Sequence, residues 1–352
     1  MDRPQEHYLT GIARPKNADE MLTEICEHFV EHADVERDGS AARLVNKFGT
    51  TNIRSDRGRL LIDLRCPSPQ ALQLSRTNLA EHLFYFAGDE AFELSWDDAA
   101  PKTSLPNLHF GRVVRASDIT PRMRRVTFSC ADVSPFIKGD MHVRLLVPPR
   151  GRKPVWPGIR SDGRIAWPEG ADELLVRVYT IRAVDEETNE ISIDFLQHSS
   201  SVVSCPGADF ARDAEPGQEI ALMGPGAGSM PDATSILLAG DESALPAIAR
   251  IAAEALPGTS LEAIIEVSDE AEEQIISSMA SITVRWLHRD RYPVGAKGVL
   301  LDQVQSAINT MDEGTFVWFA GEKEDVRSLR SFLKGRNHAK KNMYVAWYWE
   351  HV

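Results

Sequence analysis

From residue 231 to the C-terminus, short apolar stretches alternate with amphipathic ones, which constrains the fold more than any other feature. Each apolar stretch but the last is followed by a segment whose apolar residues recur at helical spacing. The pairs, with the final stretch, are SILLAG and ALPAIARIAAEA, LEAIIEV and DEAEEQIISSM, TVRWLH and VLLDQVQSAI, FVWFAG and EDVRSLRSFLKG, and MYVAWYW. Apolar strands separated by helices indicate a parallel sheet with helices on both faces.

The preceding region, residues 108–230, consists mostly of strand-like stretches. These are HFGRVVRAS, RMRRVTFSC, HVRLLVP, LLVRVYTIRAV, EISIDFLQH and EIALMG, and turns rich in Gly, Pro and Asp separate them. Short strands joined by such turns favour a small antiparallel β-barrel.

The first hundred residues mix both patterns. Helical spacing in ADEMLTEICEHFVEHA and PQALQLSRTNLAEHLFYFA flanks strand-like stretches that turn at Asp56-Arg57-Gly58, and FELSW adds a short strand. This pattern predicts helices on one face of an antiparallel sheet. The stretch DDAAPKTSLPN has the composition of a linker. We therefore predict a multidomain protein, with an α+β domain at residues 1–100, a barrel at 108–230 and an α/β domain at 231–352.

Composition argues against several classes of protein. The formal net charge of -13 is unlike that of a nucleic-acid-binding protein. No apolar run approaches the ~18 residues of a membrane span, and MDRPQEHYLTG lacks the pattern of a signal peptide. The four cysteines lie far apart, without the spacing of a metal site. We expect a cytoplasmic protein that neither inserts into a membrane nor binds nucleic acid.

Motifs in the barrel and α/β regions resemble those of one family. Arg177–Arg182 fits the pattern R-x-Y-T-x-R, and Asp194–His198 fits D-F-x-x-H. In the same order follow Gly224-Pro225, AGDESALPAI at 239–248, Phe319-Ala320-Gly321-Glu322 and Trp347-Tyr348-Trp349. Over residues 108–352 the chain thus resembles the siderophore-interacting, FAD-binding reductases, which are related to ferredoxin reductase. The first hundred residues resemble an uncharacterised domain that precedes some of these reductases, a likeness that implies no activity.

The resemblance implies a ferredoxin-reductase-like fold, with a FAD-binding barrel and an NAD(P)H-binding α/β domain. It also implies a reaction, in which a hydride passes from NADH or NADPH to FAD and electrons then reduce Fe(III) in a siderophore. Two alternatives from other classes stay open. One is a non-catalytic protein that binds a siderophore or a flavin, and the other is a flavin reductase that serves an electron-carrier protein.

The strand Arg177–Arg182 has chemistry that a strand filling a core does not need. Because side chains alternate, Arg177, Tyr179 and Ile181 are predicted to face one way, and Thr180 and Arg182 the other. An exposed aromatic ring can stack on an isoalloxazine ring, and an arginine can bind a pyrophosphate with two N–H groups. The resemblance assigns the catalytic positions beside the flavin to Tyr179 and Thr180. The alternative is a surface strand with solvated arginines and a half-buried tyrosine.

The loop after His198 departs from the resembling family, because serines replace a loop of the Gly-Pro-Ala-Ser type. Serine hydroxyl and amide groups can still form an anion-binding nest, and Phe210 can replace an expected tryptophan, although Asp209 adds a charge of the wrong sign. The residues expected to bind FAD are Arg177, Tyr179, Thr180, Ile181, Arg182, Asp194, Phe195, His198, Ser200, Ser201 and Ser204.

The nicotinamide is expected at the start of the α/β domain. The glycine-rich stretch 224–228 precedes a strand, whereas a dinucleotide-binding loop must open a helix, so we interpret it as a turn between domains. A predicted helix does follow Gly240, Asp241, Glu242 and Ser243, which are the residues expected to bind the nicotinamide. Its predicted N-cap is Asp241 or Ser243. Plain helix capping is the alternative.

Glu266 ends the next strand, where a carboxylate suits the ribose hydroxyls of NADH. Arginines at 285, 289 and 291 could instead accept the 2′-phosphate of NADPH. We favour NADH.

A basic run near the C-terminus is the candidate site for an anionic ferric siderophore. The residues expected to bind this substrate are Lys334, Arg336, Lys340, Lys341 and Arg289. A solvated helix end is the alternative interpretation of the run, and the aromatic tail after it is predicted to be the last strand of the sheet.

Overall fold

The computed structural model describes residues 6–30, 33–98, 105–197, 205–293 and 298–351. The chain forms two compact units, of which the first joins Met1–Leu108 to Pro149–Leu174 and the second joins His109–Pro148 to Leu175–Val352. Among the described helices, none has the length and apolar composition that crossing a membrane requires.

The first unit is a sheet with two helices packed on one face. Its elements are β1 (His7–Arg14), α1 (Ala18–Phe29), β2 (Asp34–Asp38), β3 (Ala41–Asn46), β4 (Gly49–Asp56), β5 (Arg59–Cys66), α2 (Pro69–Ala87) and β6 (Glu93–Trp96). The strands pair antiparallel in the order β2-β3-β4-β5-β1-β6. Leu22 and Ile25 of α1 and Leu83 of α2 are fully buried against the sheet. The predicted α+β region is confirmed.

Strand β1 was not predicted from the sequence. Its residues that face the helices are Leu9, Gly11 and Ala13, and only one of them is large and apolar. The alternation of apolar and polar residues that identifies a half-buried strand is therefore weak. In the sheet β1 lies between β5 and β6 and pairs with both.

The second unit begins with a closed barrel. Its first strands are β7 (Leu108–Thr120), β8 (Met123–Cys130) and β9 (His142–Val147). The chain then passes through the first unit, where β10 (Gly158–Ile159) and β11 (Ile165–Ala166) form a short hairpin. It returns as β12 (Leu175–Asp185), β13 (Glu190–Leu196), α3 (Pro206–Arg212) and β14 (Glu219–Met223). The barrel order is β12-β13-β8-β7-β14-β9, which confirms the predicted barrel.

A parallel sheet completes the second unit. Its elements are β15 (Ser235–Gly240), α4 (Leu245–Glu254), β16 (Ser260–Val267), β17 (Ser281–His288), α5 (Val299–Thr310), β18 (Phe316–Glu322), α6 (Lys323–Gly335) and β19 (Met343–Trp349). The strand order is β17-β16-β15-β18-β19. Apolar cores lie on both faces, and the adjacent Trp318 and Phe319 are fully buried on opposite ones. The predicted α/β domain is confirmed.

The predicted helix in DEAEEQIISSM is wrong. The structure has only one 3₁₀ turn, Glu270–Glu272, in this stretch. Thr120 of the barrel donates a 2.5 Å hydrogen bond to the buried Glu272 carboxylate, and Glu273 Oε1 lies 2.8 Å from His288 Nε2. Long-range contacts of the acidic side chains therefore outweigh the helical propensity of the stretch.

Candidate functional site

A buried arginine joins the barrel to the parallel-sheet domain. Arg250 of α4 is 2% exposed. Its guanidinium donates hydrogen bonds to the backbone carbonyls of Phe136 at 2.7 Å and Ile181 at 2.9 Å. Its Nε donates to Glu254 Oε1 at 2.7 Å, so that a carboxylate balances the buried charge. Strand β12 is therefore held at Ile181 from outside the barrel.

Strand β12 is irregular where Arg250 holds it. Its register against β13 shifts between Ile181 and Ala183, which is the sign of a β-bulge. Ile181 and Val184 both contact the barrel core, so the two-residue alternation is interrupted between them. A bulge disrupts the ladder of hydrogen bonds, and Arg250 supplies a donor to a carbonyl at this point.

Arg182, at this bulge, has a buried donor nitrogen that lacks a hydrogen bond to any described residue. Its Nε makes no hydrogen bond within the described part of the chain, and the Asp194 carboxylate is 3.9 Å away. Asp194 accepts two hydrogen bonds from Arg125, at 2.6 and 2.8 Å, and so belongs to an ion pair between β13 and β8. A buried donor without a hydrogen-bond partner is costly, and the long ion pair with Asp194 offsets this cost only in part, so Arg182 Nε is available to an anionic group.

Tyr179 and Phe195 pack together at the barrel core. Their ring centroids are 4.3 Å apart, and Phe195 and Ile181 have no exposed surface. A Cβ atom on Gly207 would lie 1.8 Å from Tyr179 Oη, so only glycine allows α3 to cover this hydroxyl. Burial raises the pKa of Tyr179 to about 12. Within Arg177–Arg182, the stretch predicted to bind the flavin, the exposed residues are therefore not Tyr179 but Arg177 and Val178.

Thr180 belongs to a buried chain of hydrogen-bonding groups. Its Oγ1 lies 3.2 Å from His142 Nδ1, and His142 Nε2 lies 2.9 Å from Tyr348 Oη and 3.5 Å from Tyr344 Oη. Burial lowers the pKa of His142 to about 4, so the imidazole is neutral near pH 7. A neutral imidazole has one donor and one acceptor nitrogen, and each nitrogen has a hydroxyl partner here. The chain connects β12 and β9 of the barrel to the last strand of the sheet.

Asp241 closes the carboxyl end of β15. Its Oδ1 accepts hydrogen bonds from the Ser243 backbone at 2.8 Å and hydroxyl at 2.5 Å, and Trp349 Nε1 donates to Oδ2 at 2.6 Å. The N-cap of α4 is Ala244, so the prediction of Asp241 or Ser243 is wrong. The carboxylate is directed to its own turn and to Trp349 instead. Burial raises the pKa of Asp241.

Arg289 lies between two carboxylates at the same edge of the sheet. Its guanidinium donates to Glu242, at 2.8 Å for one of the bonds, and to Glu266 at 3.1 Å. The Ser268 backbone N–H also donates to Glu242, at 2.9 Å. Burial raises the pKa of Glu266, although Arg289 acts in the opposite direction. Arg289 was expected to bind the iron substrate, but the structure places it with Glu242 and Glu266, which were expected to bind the nicotinamide. Gly240, also expected to bind the nicotinamide, ends the adjacent strand β15.

The structure does not bring the basic run together with these residues. Lys334 and Arg336 lie at the C-terminal end of α6, and Lys340 and Lys341 lie in the 3₁₀ turn before β19. Because the helices run antiparallel to the strands, this end of α6 and the start of β19 lie at the amino edge of the sheet. Arg336 donates a 2.6 Å hydrogen bond to Asn309 near the end of α5, which is at the same edge. A seven-residue strand such as β18 separates the two edges by about 20 Å.

Part of the predicted FAD site, namely His198, Ser200, Ser201 and Ser204, lies outside the described residues. Immediately after it, Asp209 accepts a 2.7 Å hydrogen bond from Arg212, so its unfavourable charge has a local cation. Phe210 is buried in the barrel core.

The sequence interpretation missed Arg250 and His142. Arg250 is flanked by apolar residues in ALPAIARIAAEA, and a cation inside an otherwise apolar helix was a signal that could have been used. His142 begins the stretch HVRLLV and has no such signal, because its partners come from β12 and β19.

Two domain profiles of one family match adjoining parts of the chain. The siderophore-interacting FAD-binding domain matches residues 112–229, and the siderophore-interacting protein domain matches residues 233–352. Residues 11–97 match a family of uncharacterised proteins conserved in bacteria.

Individual proteins show the same similarity. The ferric vibriobactin reductase of Vibrio cholerae is 30% identical over an alignment of 247 residues, and the alignment covers 67% of this chain and 87% of the relative. A siderophore utilization protein from T. fusca is 30% identical, with a TM-score of 0.57 over 72% of this chain and 95% of that one. The siderophore-interacting protein of Aeromonas hydrophila, at 24% identity and a TM-score of 0.55, shares the fold over 70% of this chain and 92% of its own.

The residues present fit a bound FAD. Arg182 has a buried donor available for an anionic group. Earlier on the same strand, Arg177 and Val178 are exposed. Thr180 adds a hydroxyl whose imidazole partner is neutral. An anion-binding arginine and an uncharged proton-bearing group on one strand suit a phosphate-bearing redox cofactor.

The buried His142 predicts a specific pH dependence of stability. The unfolded chain binds a proton at this histidine near pH 6.5, whereas the folded protein does so only near pH 4. The stabilisation is therefore present above pH 6.5 and is lost as the pH falls toward 4, by up to about 3 kcal/mol. Urea denaturation of His142→Gln between pH 7.5 and 4.5 should show a shallower pH dependence than the wild type, with the exposed His351→Gln as control. Equal slopes for His142→Gln and wild type would contradict the assignment.

Proposed function

The chain belongs to the siderophore-interacting, FAD-binding protein family, and from this premise we propose that it is a ferric-siderophore reductase. Its substrates are a reduced nicotinamide cofactor and a ferric siderophore. One hydride carries two electrons, so two ferric chelates are reduced for each nicotinamide oxidised. Fe(II) binds hard oxygen ligands more weakly than Fe(III) and leaves the siderophore. The proposed location is the cytoplasm.

One observation supports the proposal more than any other, namely the environment of strand β12. Arg182 has a buried Nε without a partner among the described residues, while Arg250 fixes the neighbouring Ile181 carbonyl. An anion-binding arginine on a firmly held strand is what a cofactor with a pyrophosphate requires.

FAD, when bound, accepts the hydride and delivers its electrons one at a time, which a nicotinamide cannot do. The chain itself binds and orients the cofactor and the substrates. Arg182, with Arg177 at the exposed end of the strand, would hold the phosphates. The group that His142 fixes beside the cofactor is the Thr180 hydroxyl, at 3.2 Å from Nδ1. Because His142 is neutral near pH 7, its Nδ1 can either accept a hydrogen bond from this hydroxyl or donate one to it, depending on the tautomer.

NADH is the proposed nicotinamide. Glu242 and Glu266 together carry two negative charges against the one positive charge of Arg289. A net negative cluster at the carboxyl end of β16 suits ribose hydroxyls and repels a 2′-phosphate. Arg289 is already bound by both carboxylates, so it is not available to a phosphate without breaking those pairs.

Arg182→Met tests the cofactor site. We expect the dissociation constant of FAD, measured by titration, to rise about 10- to 100-fold, because one charge-assisted hydrogen bond is lost. Arg112→Met is the matched control, since Arg112 is an exposed barrel arginine paired with Glu219. Equal FAD affinity of wild type and Arg182→Met would remove Arg182 from the site.

The same titrated protein tests the reaction itself. Under anaerobic conditions, NADH and a ferric siderophore should yield Fe(II), detected with an Fe(II)-specific chelator. A wild-type protein that binds FAD but produces no Fe(II) with NADH or NADPH would support the non-catalytic alternative.

Glu266→Ala tests the choice of nicotinamide. We expect the ratio of kcat/KM for NADH to that for NADPH to fall about tenfold, because removing one carboxylate reduces repulsion of the 2′-phosphate and releases Arg289. Glu262→Ala, an exposed position on the same strand, is the control. A ratio that already favours NADPH in the wild type and does not change in Glu266→Ala would contradict the proposal.

A further inference from the structure

The connection between β9 and β12 is long and has little structure of its own. It covers residues 148–174, and its regular elements are the two-residue strands β10 and β11 and a 3₁₀ turn at Gly170–Asp172. A hairpin this small is not stable alone in water, and connections of such length without support are uncommon in compact domains. The segment therefore needs packing from elsewhere in the chain.

The N-terminal domain supplies this packing, since Pro149–Leu174 belongs to the same compact unit as Met1–Leu108. At the tip of the hairpin, two consecutive backbone carbonyls are bound by the N-terminal domain. Arg76 Nη2 of α2 donates to the Ser161 carbonyl at 3.1 Å, and Trp96 Nε1 of β6 donates to the Asp162 carbonyl at 2.7 Å.

Two further contacts hold the strand that follows the tip. The Ile165 backbone N–H donates to Glu81 Oε1 at 2.7 Å, and the Arg164 guanidinium lies 3.4 Å from the centre of the Phe84 ring. Asp162 orients Arg164 through a hydrogen bond of 2.8 Å. Backbone atoms of the hairpin are thus recognised by side chains of α2 and β6 at three separate points.

The fit is close at the turn of the hairpin. Gly163 has a φ of +96°, and a Cβ atom there would lie 3.1 Å from Arg76 Cγ and 3.1 Å from Trp96 Nε1. Arg76 is 2% exposed, so its cation is almost wholly removed from water, with a backbone carbonyl as its hydrogen-bond acceptor. Burying a cation is costly unless hydrogen bonds offset the lost hydration. The bond to the Ser161 carbonyl does so in part, whereas Arg76 Nε makes no hydrogen bond to the described residues.

We propose that the N-terminal domain is a positioning clamp for the flavin strand, acting through Arg76, Trp96 and Glu81 on the hairpin that leads into β12. The contacts of the clamp cover Ser161 to Ile165, the compact unit that includes them ends at Leu174, and β12 begins at Leu175, two residues before Arg177. A strand whose approach is already ordered loses less conformational freedom when a cofactor binds, so its affinity for that cofactor is higher. This inference rests on the proposed function only in taking FAD as the cofactor of β12.

Gly163→Ala tests the clamp in the full-length protein. Gly170→Ala is the matched control, because Gly170 also has a positive φ, of +62°, in the same segment but has no atom within 4 Å of the added methyl group. Both substitutions strain the backbone, and only the first disturbs Arg76 and Trp96. Trp96→Phe, which keeps the ring but loses the N–H donor, is a second variant that does not depend on backbone strain.

Hydrogen–deuterium exchange of the protein without FAD, and FAD titration, are the two readouts. For Gly163→Ala and Trp96→Phe we expect faster exchange at residues 158–166 and 175–185, and a dissociation constant of FAD raised at least about fivefold. Gly170→Ala should match the wild type in both. Faster exchange confined to residues 158–166, with unchanged exchange in β12 and unchanged FAD affinity, would overturn the proposal. Unchanged exchange at both 158–166 and 175–185 would also overturn it. If the wild type bound no FAD, the proposed function would be wrong. The exchange rates of β12 would still show whether the N-terminal domain orders this strand.

Discussion

The Arg250 guanidinium joins two parts of the molecule that have separate apolar cores. It extends from α4 of the parallel-sheet domain and donates hydrogen bonds to the carbonyls of Phe136 and Ile181 in the barrel domain. A hydrogen bond with a charged group typically contributes about 1.5–3 kcal/mol, and removing this guanidinium would leave two carbonyls without their donor. The Ile181 carbonyl lies between Thr180 and Arg182, so this contact sets the path of the strand at the residues assigned to the cofactor. The geometry of β12, the strand proposed to bind FAD, therefore depends on a residue outside the barrel.

The second unit has an acidic cluster at one edge of the parallel sheet and a basic run at the opposite edge. At the carboxyl edge Glu242 and Glu266 bind Arg289, and Asp241 follows the end of the adjacent strand, while the basic residues from Lys334 to Lys341 lie at the amino edge. The neutral chain Thr180–His142–Tyr348 lies between the barrel and β19, and burial keeps its imidazole uncharged. An uncharged chain beside this acidic cluster agrees with the proposed use of NADH, because neither attracts a 2′-phosphate.

Local sequence patterns predicted most of the fold. They failed where contacts between distant parts of the chain determine the local structure. The barrel and the parallel sheet follow from the periodicity of residues 108–352, and both are confirmed. The helix expected after Asp269 does not form, because Thr120 and His288 bind Glu272 and Glu273 from distant parts of the chain. For the site, the sequence predicted that the strand with Arg182 binds the flavin, and it gave no place to Arg250 or His142, whose contacts exist only in the folded protein. The basic run was grouped with the flavin because of its charge, although the direction of α6 already places it at the other edge.

The most direct test of this account is the dissociation constant of FAD for Arg250→Lys. Lysine keeps the charge but lacks the two-pronged guanidinium that reaches both carbonyls. Arg330→Lys is the comparison, because Arg330 also donates to a backbone carbonyl, that of Val345, but does so from α6 to β19. If Arg250 sets the flavin strand, Arg250→Lys should raise the dissociation constant at least about tenfold, which is 1.4 kcal/mol, and Arg330→Lys should leave it near the wild-type value. A folded Arg250→Lys protein that binds FAD as tightly as the wild type would contradict the account.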